Sequence, residues 1–556
     1  MRSPSPFWPA GEPHALALPD GTLYDALTRA AEQRPDHPAT VFYGATLSYR
    51  ALLRHVDALA GFLQNVCHVG RGDRVLIALQ NSPHYIVAYY AVMRANAVIV
   101  PVNPMNKTAE IGYLVADSGA RVAIIGGDLV DVFTPLAGDG LAHVVVADYG
   151  DGVPAQTLYR LPACVTQAAT GVPEGPGWHG LRAALACGER PGAMTSAPDD
   201  LLILPYTSGT TGKPKACRHS HRSVLFTAVL QVRWYGLDGA DVMTGFMPLF
   251  HVAGMQGSMN AAIVAGATLV LMARWDKDLI PDLFETYGVT FWNAAPTMIV
   301  DVLGSAQFRD SSFARLKVLT GGGAAMPAAV AERLKTRFDL AFVEGYGMTE
   351  TMSPTHLNPL QAPRPQCLGI AVHDTDARVI DPETATELAD GAVGEIIVHG
   401  PQVLGGYWNR PDADADAFIE IDGRRFLRTG DLGYRDADGY FYAVDRLKRM
   451  INVSGFKVWP AEVEAAMYAH PAVRECCIIS APDGYRGETV KALVALHEAA
   501  RSTTSPDDIL SWARGVMASY KAPRSVTFVD SLPRGESNKI AWRVLQDAEW
   551  SRTSAQ

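Results

Sequence analysis

The sequence has few cysteines, no net positive charge and no long uninterrupted apolar segment. Seven cysteines among 556 residues, without a CxxC pair, exclude a disulfide framework and a cysteine-rich metal motif, and they favour the reducing cytoplasm. A net charge of −10 leaves no positive field for nucleic acid or an anionic membrane, so phosphate must be bound locally. The longest apolar stretches, residues 86–102 and 259–272, are interrupted or too short for a transmembrane segment, and the N-terminus lacks the apolar core of an export signal.

The composition that is present is that of a globular chain. Hydrophobic residues make up 48% and charged residues 19% of the sequence, close to the averages for folded domains. The 50 glycines and 36 prolines together are about 15% of the chain, below the range of disordered sequences. At about 150 residues per domain, the length predicts two to four domains.

Hydrophobic periodicity divides the chain into two predicted domains. Up to about residue 381, helical patterns such as LYDALTRAAEQ alternate with strand patterns such as RVLIAL, AVIVPV and VTFWNA, which indicates layered α/β subdomains with mostly parallel strands. Residues 148–200 are predicted to be a long surface excursion. Short strands with Gly and Asp turns then predict a small antiparallel β-barrel. The predicted fold class is α/β, with a large N-terminal domain, residues 1–446, followed by a small α+β C-terminal domain, residues 447–556, which the family resemblance described below implies to be mobile.

The segment TSGTTGKPK, residues 207–215, is the most informative part of the sequence. It follows the apolar strand LLILPY and precedes a helical pattern, and its hydroxyls, backbone N–H groups and lysines suit phosphate oxygens. It does not match GxxxxGK[ST], so the kinase and GTPase interpretations lose support. The candidate nucleotide-binding residues here are Thr207, Ser208, Gly209, Thr210, Thr211, Gly212 and Lys215.

Seven segments in order resemble the motifs of the adenylate-forming superfamily, which contains acyl-CoA synthetases, firefly-type luciferases and peptide-synthetase adenylation domains. They are TSGTTGKPK, PLFHVAG, GYGMTE, GEIIVHGP, RTGDLGY, DRLKRMINVSGFKVWPAEVE and LPRGESNKI, and they span nearly the whole chain. The resemblance implies an enzyme that joins a carboxylate to AMP from ATP and then transfers the acyl group to coenzyme A. Catalysis would depend on positioning and on neutralising phosphate charge.

The resemblance also implies roles for residues around the nucleotide. Thr207 and Glu350 would hold Mg²⁺, an ion that prefers oxygen ligands. Tyr346 would stack on adenine, with core packing as the alternative, and Asp431 would accept the ribose hydroxyls, with a turn residue as the alternative. Thr349 would lie beside the α-phosphate and Arg446 would face ribose and phosphate. Small residues would line the adenosine site, namely Gly323, Ala324, Gly345 and Gly347.

Three further assignments follow from the same resemblance. His251 would line the acyl tunnel, although a lone histidine in an apolar segment is more often a core residue. Lys539 would stabilise the transition state for adenylation. Lys448 would mark a hinge, with an exposed surface lysine as the alternative, and rotation there would bring up a coenzyme A channel formed by Ser454, Gly455, Phe456 and Lys457.

Two positions depart from the family pattern, and several functions stay open. Ala216 and Asn538 stand where glycine is usual, and Asn538 tolerates left-handed geometry. Four candidate tunnel segments, residues 251–257, 293–298, 321–325 and 345–352, offer mostly small or apolar groups and no cation for a second carboxylate. They favour a medium- or long-chain fatty acid, with aryl or arylpropenoic acids as the alternative. A stand-alone adenylation enzyme that serves a carrier protein, a luciferase-type oxidation and a catalytically inactive scaffold are further alternatives, and a homodimer is possible.

Overall fold

The computed structural model describes residues 5–166, 171–207, 213–323, 326–453, 456–483, 487–534 and 540–554. The helices in these ranges are α1 Leu23–Gln33, α2 Tyr49–Asn65, α3 Pro83–Arg94, α4 Thr108–Ser118, α5 Val130–Phe133, α6 Ala163–Thr166, α7 Leu181–Ala186, α8 His221–Tyr235, α9 Val252–Gly254, α10 Ala261–Ala265, α11 Ile280–Tyr287, α12 Pro296–Leu303, α13 Ala328–Phe338, α14 Pro411–Ala417, α15 Pro460–Met467, α16 Pro506–Val516 and α17 Trp542–Ser554. Within these ranges, none of the helices has the length and apolar content that a membrane crossing requires.

The strands complete the architecture. In chain order they are β1 Pro38–Phe42, β2 Ala45–Ser48, β3 Arg74–Ala78, β4 Val98–Pro101, β5 Val122–Gly126, β6 His143–Ala147, β7 Trp178–Gly180, β8 Leu201–Ile203, β9 Tyr206–Thr207, β10 Lys215–Ala216, β11 His219–Ser220, β12 Val242–Gly245, β13 Thr268–Leu271, β14 Phe291–Asn293, β15 Val318–Gly322, β16 Phe342–Met348, β17 Ser353–Leu357, β18 Ile370–Ala371, β19 Asp376–Ile380, β20 Gly394–His399, β21 Phe418–Ile421, β22 Arg424–Arg435, β23 Phe441–Arg446, β24 Ile451–Val453, β25 Phe456–Val458, β26 Val473–Asp483, β27 Gly487–Leu496 and β28 Ser525–Phe528.

Two large sheets confirm the predicted layered α/β architecture. One has the order β18-β17-β16-β15-β14-β12-β13-β1-β2, and its central pairs from β16 to β1 are parallel. The other has the order β11-β8-β4-β3-β5-β6-β7, and its pairs from β8 to β7 are parallel. Parallel strands that are buried on both faces consist of nearly continuous apolar residues. For this reason the sequence predicts β3, β4 and β5.

Helix α1 shows how local sequence and packing agree. Its predicted pattern matches the observed helix residue for residue, and Leu23, Ala26, Leu27 and Ala30 are buried along one face. The Asp25 carboxylate accepts a hydrogen bond from the Thr22 backbone N–H at 2.7 Å, which satisfies a donor at the helix start.

The prediction of a surface excursion over residues 148–200 is wrong for residues 178–186. Strand β7 adds to the edge of the seven-stranded sheet, and α7 buries Leu181 and Ala184. Three residues are too few for a period-two pattern to be recognised in a Gly- and Pro-rich segment, so this strand had no clear signal in the sequence.

The chain forms two compact units. The first comprises Met1–Ala377, Val398–Leu427 and Asp438–Phe441, and the second comprises Arg378–Ile397, Arg428–Ala437 and Tyr442–Gln556. In the second unit, the antiparallel pair β26–β27 carries β24 and β28, and α15 and α16 cover a core that includes Ile478 and Val494. Strands β19 to β23 form a five-stranded sheet where the barrel is predicted. Closure of that sheet into a barrel, and a domain boundary between residues 446 and 447, stay predictions.

Candidate active site

The predicted adenosine-binding segments and the tunnel residue Asn293 lie at the carboxyl ends of parallel strands in the nine-stranded sheet. Strands β14, β15 and β16 are neighbours and run in the same direction, so Asn293, Gly322 and the GYGMTE segment come to one edge. Ligands in open α/β sheets bind at this kind of edge, beyond the carboxyl ends of the strands. The fold therefore brings together motifs that are far apart in the sequence.

The phosphate-binding segment is described at its two ends. Thr207 and Lys215 are antiparallel partners in the β9–β10 ribbon, which returns the chain on itself. Ser208, Gly209, Thr210, Thr211 and Gly212 lie outside the described residues. Lys213 is exposed and its Nζ lies 5.4 Å from the ring centroid of Tyr113, while Lys215 is half-buried.

A tyrosine that the sequence analysis missed connects Lys215 with Glu350. The Lys215 Nζ lies 4.4 Å from the ring centroid of Tyr407, and the Tyr407 hydroxyl donates a hydrogen bond to Glu350 Oε1 at 3.0 Å. The ring face attracts the ammonium group and the hydroxyl orients the carboxylate. We call Lys215, Tyr407 and Glu350 the lysine–tyrosine–glutamate triad.

Backbone hydrogen bonds fix the position of Tyr407. The Trp408 N–H donates to the Ala216 carbonyl at 2.9 Å, and Tyr407 forms a β-bridge with Cys217. The Leu404 N–H donates to the Glu350 carbonyl at 2.8 Å. Burial raises the pKa of Tyr407 well above its usual value, and the charge of Glu350 adds to this effect, so the phenol stays a donor.

Glycines permit close backbone contacts where the adenosine site is predicted. A Cβ at Gly321 would overlap the Ala294 carbonyl, and a Cβ at Gly347 would overlap the Ser353 carbonyl. Gly323 has φ +83°, a left-handed conformation that glycine adopts without strain. Ala324 lies outside the described residues. Gly345 pairs with Gly322 across β15 and β16.

The GYGMTE segment ends in a strained turn. Tyr346 is half-buried, and its ring centroid lies 5.7 Å from that of His356 on the neighbouring strand. After the short helix at residues 349–351, Met352 and Ser353 have φ values of 47° and 82°, which are unusual for residues other than glycine. The Thr351 hydroxyl donates to the Ser353 carbonyl at 2.8 Å and stabilises this turn.

A buried histidine holds the backbone of Thr349. The His219 Nε2 lies 2.8 Å from the Thr349 carbonyl oxygen, and burial lowers the pKa of His219 to about 4. The neutral ring therefore donates this hydrogen bond at neutral pH. Helix α8 begins at His221, two residues after His219, and the side chains of both histidines are buried.

His251 is exposed, which makes the alternative of a core histidine wrong. It caps α9, where its Nδ1 accepts a hydrogen bond from the Ala253 N–H at 3.3 Å. A π-helix, Met255–Asn260, follows directly, and such helices are frequent at functional sites. The Asn293 side chain donates to the Ala253 carbonyl at 3.1 Å, so two predicted tunnel segments do meet.

The π-helix that follows His251 contains buried polar side chains, whereas the sequence predicts a mostly apolar tunnel. Gln256, Ser258 and Asn260 are completely buried within the π-helix. The Asn260 side chain donates to Gln256 Oε1 at 2.8 Å and accepts from the Tyr90 hydroxyl at 3.0 Å. A Cβ at Gly257 would come within 2.6 Å of Asn293 Nδ2, so this glycine permits close packing.

In the second unit, the predicted ribose-binding residues are paired with each other. Asp431 is buried within β22, which makes the turn-residue alternative wrong, and its Oδ1 lies 2.9 Å from Arg446 Nε. Lys448 is exposed in the short helix at residues 447–449. The next residue, Arg449, pairs with Glu464 at 3.2 Å, and burial of this pair anchors the chain after Lys448.

The remaining predicted residues are described only in part. Lys539 and Asn538 lie outside the described residues, as do Ser454 and Gly455 of the predicted coenzyme A channel. Phe456 and Lys457 belong to β25, whose backbone pairs with β24. Ala216 has no steric conflict in its strand, where it pairs with Tyr206.

Family models, related sequences and solved structures match nearly the whole chain. The model of the AMP-binding enzyme family matches residues 27–408, and the model of the AMP-binding enzyme C-terminal domain matches residues 462–539. A long-chain-fatty-acid–CoA ligase of Bacillus subtilis is 33% identical over 570 residues, which cover 99% of each chain. A feruloyl-CoA synthase of an Amycolatopsis species is 33% identical over 92% of this chain and 96% of its own. The crystal structure of ATP-bound MatB from Rhodopseudomonas palustris superposes with a TM-score of 0.83 at 28% identity, over 95% of this chain and 98% of that one.

Proposed function

Because the chain belongs to the AMP-binding enzyme family, we propose that it is an ATP-dependent acyl-CoA ligase that forms an acyl adenylate and then an acyl-CoA thioester. The observation that carries this proposal is the lysine–tyrosine–glutamate triad beside the phosphate-binding segment. It holds one cation and one carboxylate in fixed positions, as a phosphoryl-transfer site needs. The products would be an acyl-CoA, AMP and pyrophosphate.

In the first half-reaction, the substrate carboxylate attacks the α-phosphorus of ATP and pyrophosphate leaves. Negative charge spreads over the phosphate oxygens in the transition state, so fixed cations and N–H donors lower its free energy. Lys215 and the segment Ser208–Gly212 would bind the pyrophosphate end, and Thr349 would donate to the α-phosphate. His219 would keep Thr349 in place through its carbonyl.

Thr207 and Glu350 fit a site for Mg²⁺. Both offer oxygen atoms, Thr207 as the first residue of the phosphate-binding segment and Glu350 with its carboxylate oriented by Tyr407. When bound, Mg²⁺ supplies positive charge to the phosphate oxygens of ATP. The Tyr407 hydroxyl would keep one Glu350 oxygen in a constant direction while the nucleotide enters.

The adenosine would be held by backbone and by side chains. Gly323 and Ala324, with Gly345 and Gly347, would allow adenine to lie against the backbone, and Tyr346 would stack on it. Asp431 would accept the ribose hydroxyls, with Arg446 beside the phosphate. The ion pair between Asp431 and Arg446 supports this assignment because it orients a carboxylate that has two acceptor oxygens.

In the second half-reaction, the predicted C-terminal domain, residues 447–556, would take a different position. Lys539 would serve adenylation, and rotation about Lys448 would replace it with the channel formed by residues 454–457. The coenzyme A thiolate then attacks the acyl carbonyl and AMP leaves. Lys448 is exposed, as a residue at a hinge can be. A homodimer and a cytoplasmic location stay predictions.

We propose a medium- or long-chain fatty acid as the substrate, in agreement with the similarity to the Bacillus ligase. Apolar residues of the tunnel segments, such as Val252 and Met255, would contact the acyl chain. An arylpropenoic acid is the second candidate, since the feruloyl-CoA synthase has the same sequence identity to this chain, 33%.

Pyrophosphate release with a panel of acids tests the proposal. Purified protein with Mg²⁺ and ATP should release pyrophosphate in the presence of fatty acids of about eight to sixteen carbons. The rate of release should be on the order of tenfold higher than the rate with ferulate. Addition of coenzyme A should convert the acyl adenylate into a thioester that mass spectrometry detects. Failure of every acid to yield pyrophosphate would refute the proposal, whereas a preference for ferulate would select the second candidate.

A further inference from the structure

Two histidines meet at the edge of the seven-stranded sheet, away from the residues assigned to the ligase reaction. Strand β7 is the edge strand and pairs in parallel with β6, and the register places Val145 opposite His179. His143 lies two residues before Val145, so the side chains of His143 and His179 project from the same face. Their ring nitrogens, Nδ1 of His143 and Nε2 of His179, are 3.0 Å apart.

A buried cysteine completes this group. Cys67 follows the end of α2, and its backbone N–H donates to the Phe62 carbonyl at 3.2 Å. The Phe62 ring contacts the His179 ring edge-on, with centroids 5.2 Å apart, which fixes the end of α2 over the two strands. One ligand atom each of Cys67, His143 and His179 lies within 4.8 Å of the other two.

We propose that Cys67, His143 and His179, the edge cluster, bind one Zn²⁺ ion, with a water molecule as the fourth ligand. One sulfur and two imidazole nitrogens form a ligand set that zinc prefers. With Zn–N bonds of about 2.0–2.1 Å and a Zn–S bond of about 2.3 Å, tetrahedral ligand atoms are about 3.3–3.6 Å apart. The two nitrogens, 3.0 Å apart, are slightly closer than this spacing, and all three ligand atoms lie within 4.8 Å of one another, so side-chain rotation must supply the difference.

The surroundings allow an ion to enter. Both histidines are half-buried, so the site is open to solvent on one side, while Cys67 is buried. His143 Nδ1 and His179 Nε2 share one proton in their hydrogen bond, and this proton must move to another ring nitrogen before both atoms can bind the ion. The positive charge of Arg121, which acts on His143, opposes a cation. The ligands must therefore supply affinity through bonds rather than through net negative charge.

Binding would convert the thiol into a ligand. The S–H bond of Cys67 breaks, its proton passes to water and the sulfur keeps the electron pair for the bond to zinc. The ion would then connect the end of α2 with β6 and β7, which are distant in sequence. Because zinc binds the folded chain only, it would stabilise the first unit.

Cobalt titration of tag-free, chelator-treated full-length protein tests the site. Co²⁺ should give a thiolate-to-cobalt charge-transfer band and the visible bands of a tetrahedral ion, saturating at one ion per chain, and Zn²⁺ should abolish them. Cys67→Ser should remove the charge-transfer band, and His179→Asn at the edge strand should weaken Co²⁺ binding at least tenfold. Cys187→Ser, which changes an exposed cysteine elsewhere, should leave both signals unchanged.

Several results would overturn the proposal. Absence of a charge-transfer band in the unchanged protein would refute it, as would a band that survives in Cys67→Ser. An unchanged affinity for Co²⁺ in His179→Asn would show that His179 is not a metal ligand and only forms a hydrogen bond with His143. Circular dichroism of each variant without metal shows whether it is folded, and His179→Asn keeps the test decisive if Cys67→Ser does not fold.

Discussion

The nucleotide site and the edge cluster are built in opposite ways. Most residues of the nucleotide site come from contiguous motifs, and strands β15 and β16 carry them to one edge of a sheet. The edge cluster comes from three isolated positions, one after a helix and two on neighbouring strands. The first kind of site is readable in a sequence, whereas the second exists only once the fold is known.

This difference predicts that the two regions respond independently to substitution. Changes in the nucleotide site should alter the rate of adenylation and leave metal binding at the edge cluster intact. Changes in the edge cluster should do the opposite, because no described hydrogen bond or ion pair joins it to Lys215 or Glu350. Independent effects of this kind are expected for distant sites that share no partners.

The largest effect on adenylation is expected for Lys539→Ala. Loss of a cation that neutralises transition-state charge should lower acyl-adenylate formation by about 10²–10³-fold. Thioester formation from supplied acyl adenylate should change little, since Lys539 would serve only the first half-reaction. Rapid-quench measurement of each half-reaction checks this, and the cobalt signal should persist. Equal losses in both half-reactions would contradict the assignment of Lys539 to adenylation alone.

A smaller effect is expected for Tyr407→Phe. The ring beneath Lys215 stays, but Glu350 loses a hydrogen bond, and a bond to a charged group contributes about 1.5–3 kcal/mol. Adenylation should fall about tenfold, and the Mg²⁺ concentration for half-maximal rate should rise. Tyr24→Phe is the matched control, because the Tyr24 hydroxyl donates to the Asp57 carboxylate at 2.8 Å outside the nucleotide site. Equal rates for the two variants would show that Tyr407 has no part in orienting Glu350.

Sequence patterns predicted the layered fold because buried parallel strands and amphipathic helices leave periodic signals. Contiguous motifs also carry Asp431, His251 and the glycines of β15 and β16, so the sequence could propose roles for these residues, and these roles stay predictions. Tyr407 could not be found in this way, because its contact with Glu350 depends on a loop that returns to β10. The contact of His219 with the Thr349 carbonyl depends on the fold in the same way, and the short strand β7 has too few residues for a recognisable pattern.

The smallest effect on the rate of pyrophosphate release is expected from substitution of a buried histidine. Two such histidines, His219 and His221, can be compared directly because they differ in one contact. His219 and His221 both have a pKa lowered to about 4 by burial, but the described contacts of His219 include the Thr349 carbonyl. Above pH 6.5 each histidine is neutral in the folded and the unfolded chain, so its contribution to stability is fully present. As pH falls from 6.5 towards 4, only the unfolded chain gains the proton, and each histidine lowers the free energy of unfolding by up to about 3 kcal/mol.

His219→Leu and His221→Leu should therefore flatten the acid loss of stability to a similar extent, as urea unfolding between pH 7 and pH 4 would show. Only His219→Leu should also lower kcat for pyrophosphate release, about threefold, because the Thr349 backbone loses its donor while the KM for ATP stays nearly constant. An equal decrease of kcat in His221→Leu would mean that burial of an imidazole, rather than its bond to Thr349, supports the site. An unchanged rate in both variants would show that the strained turn at Met352 and Ser353 positions Thr349 without His219.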